Sequence, residues 1–303
     1  MMTFEPTLEE INYVFQLQNI SDEIVSIKKL SGTTSGLVYR LDSQLNNHYI
    51  LKIDDPEQVR MVSDFLNHHL NSTLLPKVLY TASDHSHLIY SYIEGTTHFN
   101  RGQKINWLRV IVRELLNTYS KYPKTNIWGR LEYPLHSWKE FNEIGIEEAR
   151  NNIGDLLTSE DYNFVKSQVN KLFKEEEKKA ESYLLHGDTG VHNFVFDNST
   201  LMGVIDPSPM VGPLLYDFMY AFCSSPDDLD INTLFAAFED LDIEKGTIDR
   251  SRLMDEVSIQ LYCRIGLSKK HHPHDLSEYL EAWEYWKTQI RRTKDDHTDY
   301  NSI

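Results

Sequence analysis

The segment Tyr183–Asp206 constrains this chain more than any other, because it is a short strand-like island between long helical stretches. An apolar strand end, Leu184-Leu185, runs into His186-Gly187-Asp188-Thr189-Gly190-Val191-His192-Asn193. Phe194-Val195-Phe196, a turn at Asp197-Asn198 and Met202-Gly203-Val204-Ile205-Asp206 follow. The strand end delivers His186 and Asp188 into a loop, and a hairpin returns the chain so that Asp206 emerges beside Asn193. A fold that accommodates this pattern gathers three oxygen-bearing side chains, those of Asp188, Asn193 and Asp206, into one small volume.

That donor set suits Mg²⁺, a hard cation that takes only one or two protein oxygens and leaves its other positions to phosphates and water. With one or two of these oxygens on the metal, one carboxylate is left to accept a hydroxyl proton. Phosphoryl transfer needs those parts: a base that orients the nucleophile, and a metal that neutralises charge on the transferred group. The competing reading is a plain turn whose Asp and Asn side chains only satisfy backbone groups.

Bulk properties exclude several other classes. At 303 residues the chain is long enough for one large or two ordinary domains. Its 30 Lys and Arg face 46 Asp and Glu, a formal net charge of −16. That balance speaks against a nucleic-acid partner, which needs a basic stripe to displace counterions, and it fits a cationic one. No run approaches the roughly 20 apolar residues that span a bilayer, so no membrane role is expected. Two cysteines, Cys223 and Cys263, make no disulfide framework, and a cytoplasmic home is the simplest expectation. A monomer or weak homodimer is expected.

Along the chain, strand patterns come first. Val25–Leu30 and Leu37–Leu41 flank the turn-rich 31–36, and His48–Ile53 is a third strand. Asp54-Asp55-Pro56 opens a helix to about Leu70, and Lys77–Ser83 and His87–Ile93 follow as strands. Beyond Gly95 the spacing is helical: Ile105–Lys121, Glu160–Lys179 with Ser159 as cap, Asp217–Cys223, Ile231–Asp240, Ser251–Leu267 and Asp275–Arg292. The polar tail Thr293–Ile303 reads as frayed. The expectation is an α+β fold, with a strand-rich lobe over 1–94 and a helical lobe over 95–303.

Lys52 lies inside a strand, on the face with Ile50 and opposite Tyr49, Leu51 and Ile53. Read alone it is an edge gatekeeper; read with Asp188 it is an anchor for nucleotide phosphates. The following helix offers Glu57 and Asp64 as carboxylates to pair with it. The loop 31–36 carries Thr33, Thr34 and Ser35, whose hydroxyls and backbone N–H groups suit phosphate oxygens.

His186, Asp188, Asn193 and Asp206 fill the H-x-D-x4-N…D pattern of kinase catalytic loops, and with Gly187 between His and Asp the chain resembles the aminoglycoside-phosphotransferase, choline-kinase-like family. The resemblance runs in family order from about Leu30 to Asp217, through Ser35-Gly36-Leu37-Val38-Tyr39 and His87–Gly95. It implies a protein-kinase-like two-lobed fold and a nucleoside triphosphate donor, ATP or GTP, with Mg²⁺. It makes Asp188 the base, His186 the brace of the loop, Asn193 and Asp206 metal ligands, and Lys52 the phosphate anchor. Ser91 and Ile93 would meet the purine through their backbone, with Tyr90 at the back of the pocket, and Asp217 would bond the loop backbone.

Pro207, where the family commonly has Trp or Leu-Gly, departs from the pattern and stiffens the chain after Asp206. Ile205-Asp206-Pro207 is similar to the streptomycin-kinase-like subgroup. Methylthioribose kinases share it but lack the Asn present here as Asn193.

The implied activity is transfer of the γ-phosphoryl to a hydroxyl of a small, cationic acceptor such as an aminoglycoside, Asp227, Asp228, Glu239 and Glu281 being candidate acceptor contacts. A metabolic kinase on choline, homoserine or a thio-sugar, and a nucleotide-binding pseudokinase, are the alternatives. The cluster His271-His272-Pro273-His274 reads as a surface loop, not a metal site.

Overall fold

The computed structural model describes residues 5–31, 36–97, 99–123, 126–176, 181–243 and 248–299. It begins with a helix the strand-dominated reading did not contain, α1 (Leu8–Leu17). Thr7 caps it: its hydroxyl accepts from Glu10 N while the Glu10 carboxylate accepts from Thr7 N, satisfying two end groups reciprocally.

Five antiparallel strands follow, β1 (Ile24–Lys29), β2 (Leu37–Ser43), β3 (His48–Ile53), and, after α2 (Pro56–His68), β4 (Val78–Thr81) and β5 (His87–Ser91). Their order in the sheet is β1-β2-β3-β5-β4. Leu51 and Ile89 on one face pack with Ile11 and Phe15 of α1 in a core of their own. The register Ile50↔Tyr90 and Lys52↔Leu88 puts these four on the opposite face, as alternation in β3 predicts.

Asp55 caps α2, with Pro56 at its first position. Its buried Val59, Val62, Phe65 and Leu66 belong to the large core that fills the helical part. His69, at the end of α2, hydrogen-bonds the Leu184 carbonyl at 2.8 Å, so this helix is fastened to the strand that precedes the loop at His186–Asn193.

The rest is mainly helical: β6 (Thr96–Thr97), α3 (Lys104–Glu114), β7 (Gly129–Arg130), α4 (Trp138–Ile153), α5 (Ser159–Glu176), β8 (Tyr183–Leu185), β9 (Phe194–Asp197), β10 (Thr200–Val204), β11 (Met210–Gly212), α6 (Leu214–Cys223), α7 (Ile231–Phe238), α8 (Arg250–His271) and α9 (Leu276–Asp299). Two small sheets, β10-β9-β6 and β7-β11-β8, lie in it. α8 is buried along most of its length and packs against α4, α5, α6 and α9. Strand-rich N-terminal and helical C-terminal parts make the kinase-like α+β fold that the pattern implies.

Local differences have local causes. α4, capped by the Ser137 side chain, was not expected. The N-terminal cap of α5 is Thr158, whose hydroxyl accepts from Asp161 N at 3.2 Å, in place of the expected Ser159. α9 continues to Asp299, past the Thr293 at which fraying was expected.

Candidate active site

The island folds as β8, a loop, and the β9–β10 hairpin. Asn198 and Ser199, both at positive φ (45° and 65°), form the two-residue turn whose twist suits adjoining antiparallel strands. Gly203 lets this hairpin press against the sheet: a Cβ there would lie 2.4 Å from Ile93 Cδ1 and 2.8 Å from the Leu74 carbonyl.

The loop hangs on Asp217 of α6, which is fully buried. Its carboxylate accepts from His186 N at 2.9 Å, Gly187 N at 3.1 Å and the Tyr119 hydroxyl at 2.9 Å. Burial pushes this carboxyl up to about 6 against the pull of those donors. Thr189 Oγ1 donates to the Asp217 carbonyl at 2.7 Å, and Val191 N donates to Ser224 Oγ at 3.2 Å, so α6 fixes both ends of the loop. Gly187 turns at φ +77°, where a Cβ would lie 2.2 Å from the Ser208 carbonyl.

His186 is completely buried. Asp188 N donates to its Nδ1 at 3.3 Å, so Nε2 carries the proton and donates to the Ile205 carbonyl at 3.2 Å. Burial pulls its pKa down to about 4, and the ring is a neutral brace between the loop and the end of the hairpin.

Asp188 Oδ2 accepts from Asn193 Nδ2 at 3.0 Å and faces His192 Nε2 at 3.1 Å. Its Oδ1 is buried without a well-formed hydrogen bond. Burial works to raise this carboxyl, but the hydrogen bond and charge of His192, with the Tyr220 hydroxyl, hold it well below the usual carboxylate range. Asp188 is therefore ionised at neutral pH, with Oδ2 oriented by Asn193 and His192 and the side chain 26% exposed. Asn193 also binds the Asp188 carbonyl at 2.9 Å, and its own carbonyl accepts from Ile205 N at 2.9 Å, which sets Asp206 next to it.

Lys52 reaches across from β3: its Nζ lies 2.7 Å from Asp206 Oδ1. Lys52 is nearly buried while the Asp206 side chain is 57% exposed. Asp206 sits at φ +56°, a conformation that costs a non-glycine residue about 1–2 kcal/mol. Tyr90 shares this recess; burial, then the Asp206 charge, raises its phenol. The donor set, an exposed carboxylate and an adjacent amide, fits an Mg²⁺ held largely by phosphates.

Not every expected contact forms. Glu57 does not reach Lys52: it pairs with Arg60 at 2.5 Å, as does Asp64 at 3.0 Å, because both lie on the exposed face of α2. The nearby acid in sequence is Asp54, just past the end of β3, 3.9 Å from Lys52. Two residues along an extended chain share a face, so alternation carried that signal. Thr33, Thr34 and Ser35 lie outside the described residues. Ser91 is in β5, paired with Tyr49, and its Oγ accepts from Lys77 N at 2.8 Å.

A cavity opens on the far side of His192, walled by Val191, Ser225, Asp227, Arg264, His272 and Glu278 among others. Of the four acids expected there, it contains Asp227, ion-paired with Arg101 at 2.6 Å. Asp228 accepts from Lys104 N at the start of α3 at 3.2 Å, and Glu239, just past α7, and Glu281, on α9, are exposed residues outside the cavity walls. His192, Tyr220 and Arg130 are the neighbours of Asp188 that spacing did not single out. Arg130 bonds the Ser208 carbonyl at 3.0 Å, and its charge is felt at Asp217.

The model of the phosphotransferase enzyme family matches residues 26–252. The GDP complex of an aminoglycoside 2'-phosphotransferase-IIIa F108L mutant is similar at 14% identity and a TM-score of 0.56, over 93% of this chain and 98% of that one. A fructosamine-3-kinase homologue from Thermobifida fusca is similar at 14% identity and 0.56, over 92% and 100%. Spectinomycin phosphotransferase, APH(9)-Ia, with ADP and spectinomycin, is similar at 12% identity and 0.53, over 93% and 95%. No curated protein matches.

Proposed function

The chain belongs to the phosphotransferase enzyme family, and from that membership we propose that it moves the γ-phosphoryl of ATP or GTP to a hydroxyl of a small acceptor that carries an amine. The observation that carries the reading is the contact of Lys52 with Asp206, beside an ionised, partly exposed Asp188.

In this reading residues 1–94 hold the nucleotide and 95–303 supply the base and the acceptor site. Lys52 exchanges Asp206 for the nucleotide phosphates, with the backbone of Ser91 and Ile93 along the purine and 31–36 over the phosphates. Asp206 and Asn193 would hold Mg²⁺, which would supply charge neutralisation on the phosphates. The Asp188 carboxylate takes a hydrogen bond from the acceptor hydroxyl and so aims the hydroxyl oxygen's lone pair at the phosphorus. The hydroxyl oxygen bonds to phosphorus as the bond to the leaving nucleoside diphosphate breaks, and the hydroxyl proton passes to Asp188. Asn193 and His192 hold the base in place, while His186 and Asp217 hold the loop. The net negative charge and the acids by the cavity support a cationic group on the acceptor, a class that includes aminoglycosides, choline and homoserine.

The test is nucleotide consumption measured with Mg²⁺ and ATP or GTP against aminoglycosides, choline, homoserine and methylthioribose. Acceptor-dependent turnover that disappears in Asp188→Ala is the expected result. Nucleotide binding with no turnover on any acceptor would leave a pseudokinase and end this reading.

A further inference from the structure

The end of α6 is held by side chains from three other helices. Pro226 has no N–H to give the Phe222 carbonyl, so the chain cannot close the last turn of α6 by itself. Lys104 of α3 takes that place, its Nζ donating to the Phe222 carbonyl at 3.0 Å and to the Ser225 carbonyl at 2.8 Å. The Tyr279 hydroxyl of α9 donates to the Cys223 carbonyl at 3.1 Å, and Arg264 Nη2 of α8 donates to the Ser224 carbonyl at 2.9 Å. Every carbonyl from 222 to 225 is thus bonded by a side chain. Arg264 Nε also donates to the Tyr279 hydroxyl at 3.0 Å, which ties two of the clamping groups together.

Cations are a costly way to fill a core, and Lys104 and Arg264 are only 1% and 6% exposed. Neither forms an ion pair among the described residues: Asp227 and Asp228 act on the Lys104 ammonium, and Asp275 on Arg264, only through their charge. Their counter-charge is the carbonyl end of α6, the negative pole of the helix dipole. Burial lowers the Lys104 ammonium to about 7, but the neutral amine keeps two N–H donors, one for each carbonyl.

This end of α6 carries the second half of the loop that bears Asp188. Ser224 Oγ accepts from Val191 N at 3.2 Å and donates to the Ala221 carbonyl at 2.8 Å. Val191 opens the turn Val191–Asn193, which sets His192 Nε2 at 3.1 Å and Asn193 Nδ2 at 3.0 Å from Asp188 Oδ2. A shift of Ser224 therefore passes through one hydrogen bond to both groups that orient the base. We propose that Lys104, Arg264 and Tyr279 are positioning residues: by fixing the carbonyls of 222–225 they hold Ser224, and through Val191 they set His192 and Asn193 against Asp188. Their effect on turnover rests on the kinase reading, whereas their effect on His192 rests on the geometry alone.

The experiment measures Lys104→Met, Ser224→Ala and the double variant in the full chain, by NMR of the histidine ring nitrogens and by steady-state kinetics. His192→Gln identifies the His192 signals, and His136, just ahead of α4, serves as the reference. In both single variants the His192 signals are expected to move by more than those of His136. On any acceptor that supports turnover, kcat per folded molecule should fall about tenfold while nucleotide KM changes less than about twofold, because misplacing a reacting group costs rate more than binding. Since Lys104 acts through Ser224, the double variant should be no slower than the slower single one. If Lys104→Met does not fold, Tyr279→Phe, which frees the Cys223 carbonyl and keeps the ring, replaces it. Unmoved His192 signals or an unchanged kcat per folded molecule would leave the clamp a part of the core and overturn the proposal, as would losses that multiply in the double variant. A wild-type chain that turns over no acceptor strikes the kinase reading instead, and the His192 signals then decide the clamp alone.

Discussion

Lys52 Nζ lies 2.7 Å from Asp206 Oδ1, although 154 residues separate them in the chain. The pair joins the five-stranded sheet to the β9–β10 hairpin and occupies the place assigned to nucleotide phosphates and their metal.

Lys52→Met is expected to weaken nucleotide binding about 10- to 100-fold, the range for losing one charge-assisted hydrogen bond. Asp206→Ala should weaken Mg-nucleotide more than metal-free nucleotide. Titration calorimetry with and without Mg²⁺ reads both, and wild-type affinity in either variant would remove the pair from the nucleotide site. Thermal stability should change little in Asp206→Ala, because its side chain is 57% exposed.

Asp188→Ala separates chemistry from binding. A positioned base contributes roughly 10²- to 10⁴-fold, so acceptor-dependent kcat should fall by about that factor while nucleotide affinity is retained. Steady-state kinetics with a nucleotide titration decide it. Unchanged kcat would mean another group takes the proton.

Asp217→Asn tests the support of the loop. The amide oxygen cannot replace a carboxylate that accepts from His186 N, Gly187 N and Tyr119, and a buried donor is left unpaired. A stability loss of about 1–3 kcal/mol is expected, together with a fall in kcat larger than any change in nucleotide KM. A fall in stability with unaltered kcat per folded molecule would assign Asp217 to the core alone.

Two buried histidines, His69 and His186, set an acid limit. Burial holds both at about 4, against about 6.5 in an unfolded chain. Between those values the unfolded chain takes up protons that the folded one does not. The stability these groups contribute is therefore complete above pH 6.5 and is lost as pH falls towards 4, on the order of 3 kcal/mol for each. Melting temperature followed from pH 7 to 4.5 should drop, and more gently in His69→Gln. Parallel curves for the two proteins would show that His69 is not responsible.

What the sequence by itself determined lies within a few residues of chain: the alternation that sets Lys52 opposite Leu51, the Pro56 start of α2, the turn of the β9–β10 hairpin, and the spacing that brings Asp188, Asn193 and Asp206 together. The capping boxes at Thr7 and Thr158 are equally local signals, yet the sequence reading missed α1 and placed the cap of α5 at Ser159. Only the tertiary structure decided which partner each charge takes. Lys52 binds Asp206 and not Glu57 because the seating of the sheet on the hairpin turns the outer face of α2 to solvent, where Glu57 meets Arg60. Likewise Arg264 and Ser225 come to line one cavity because α6 and α8 pack against each other. Short-range sterics and backbone hydrogen bonding write the first kind of information into neighbouring residues. The second depends on which surfaces the core brings face to face, and no single segment carries that.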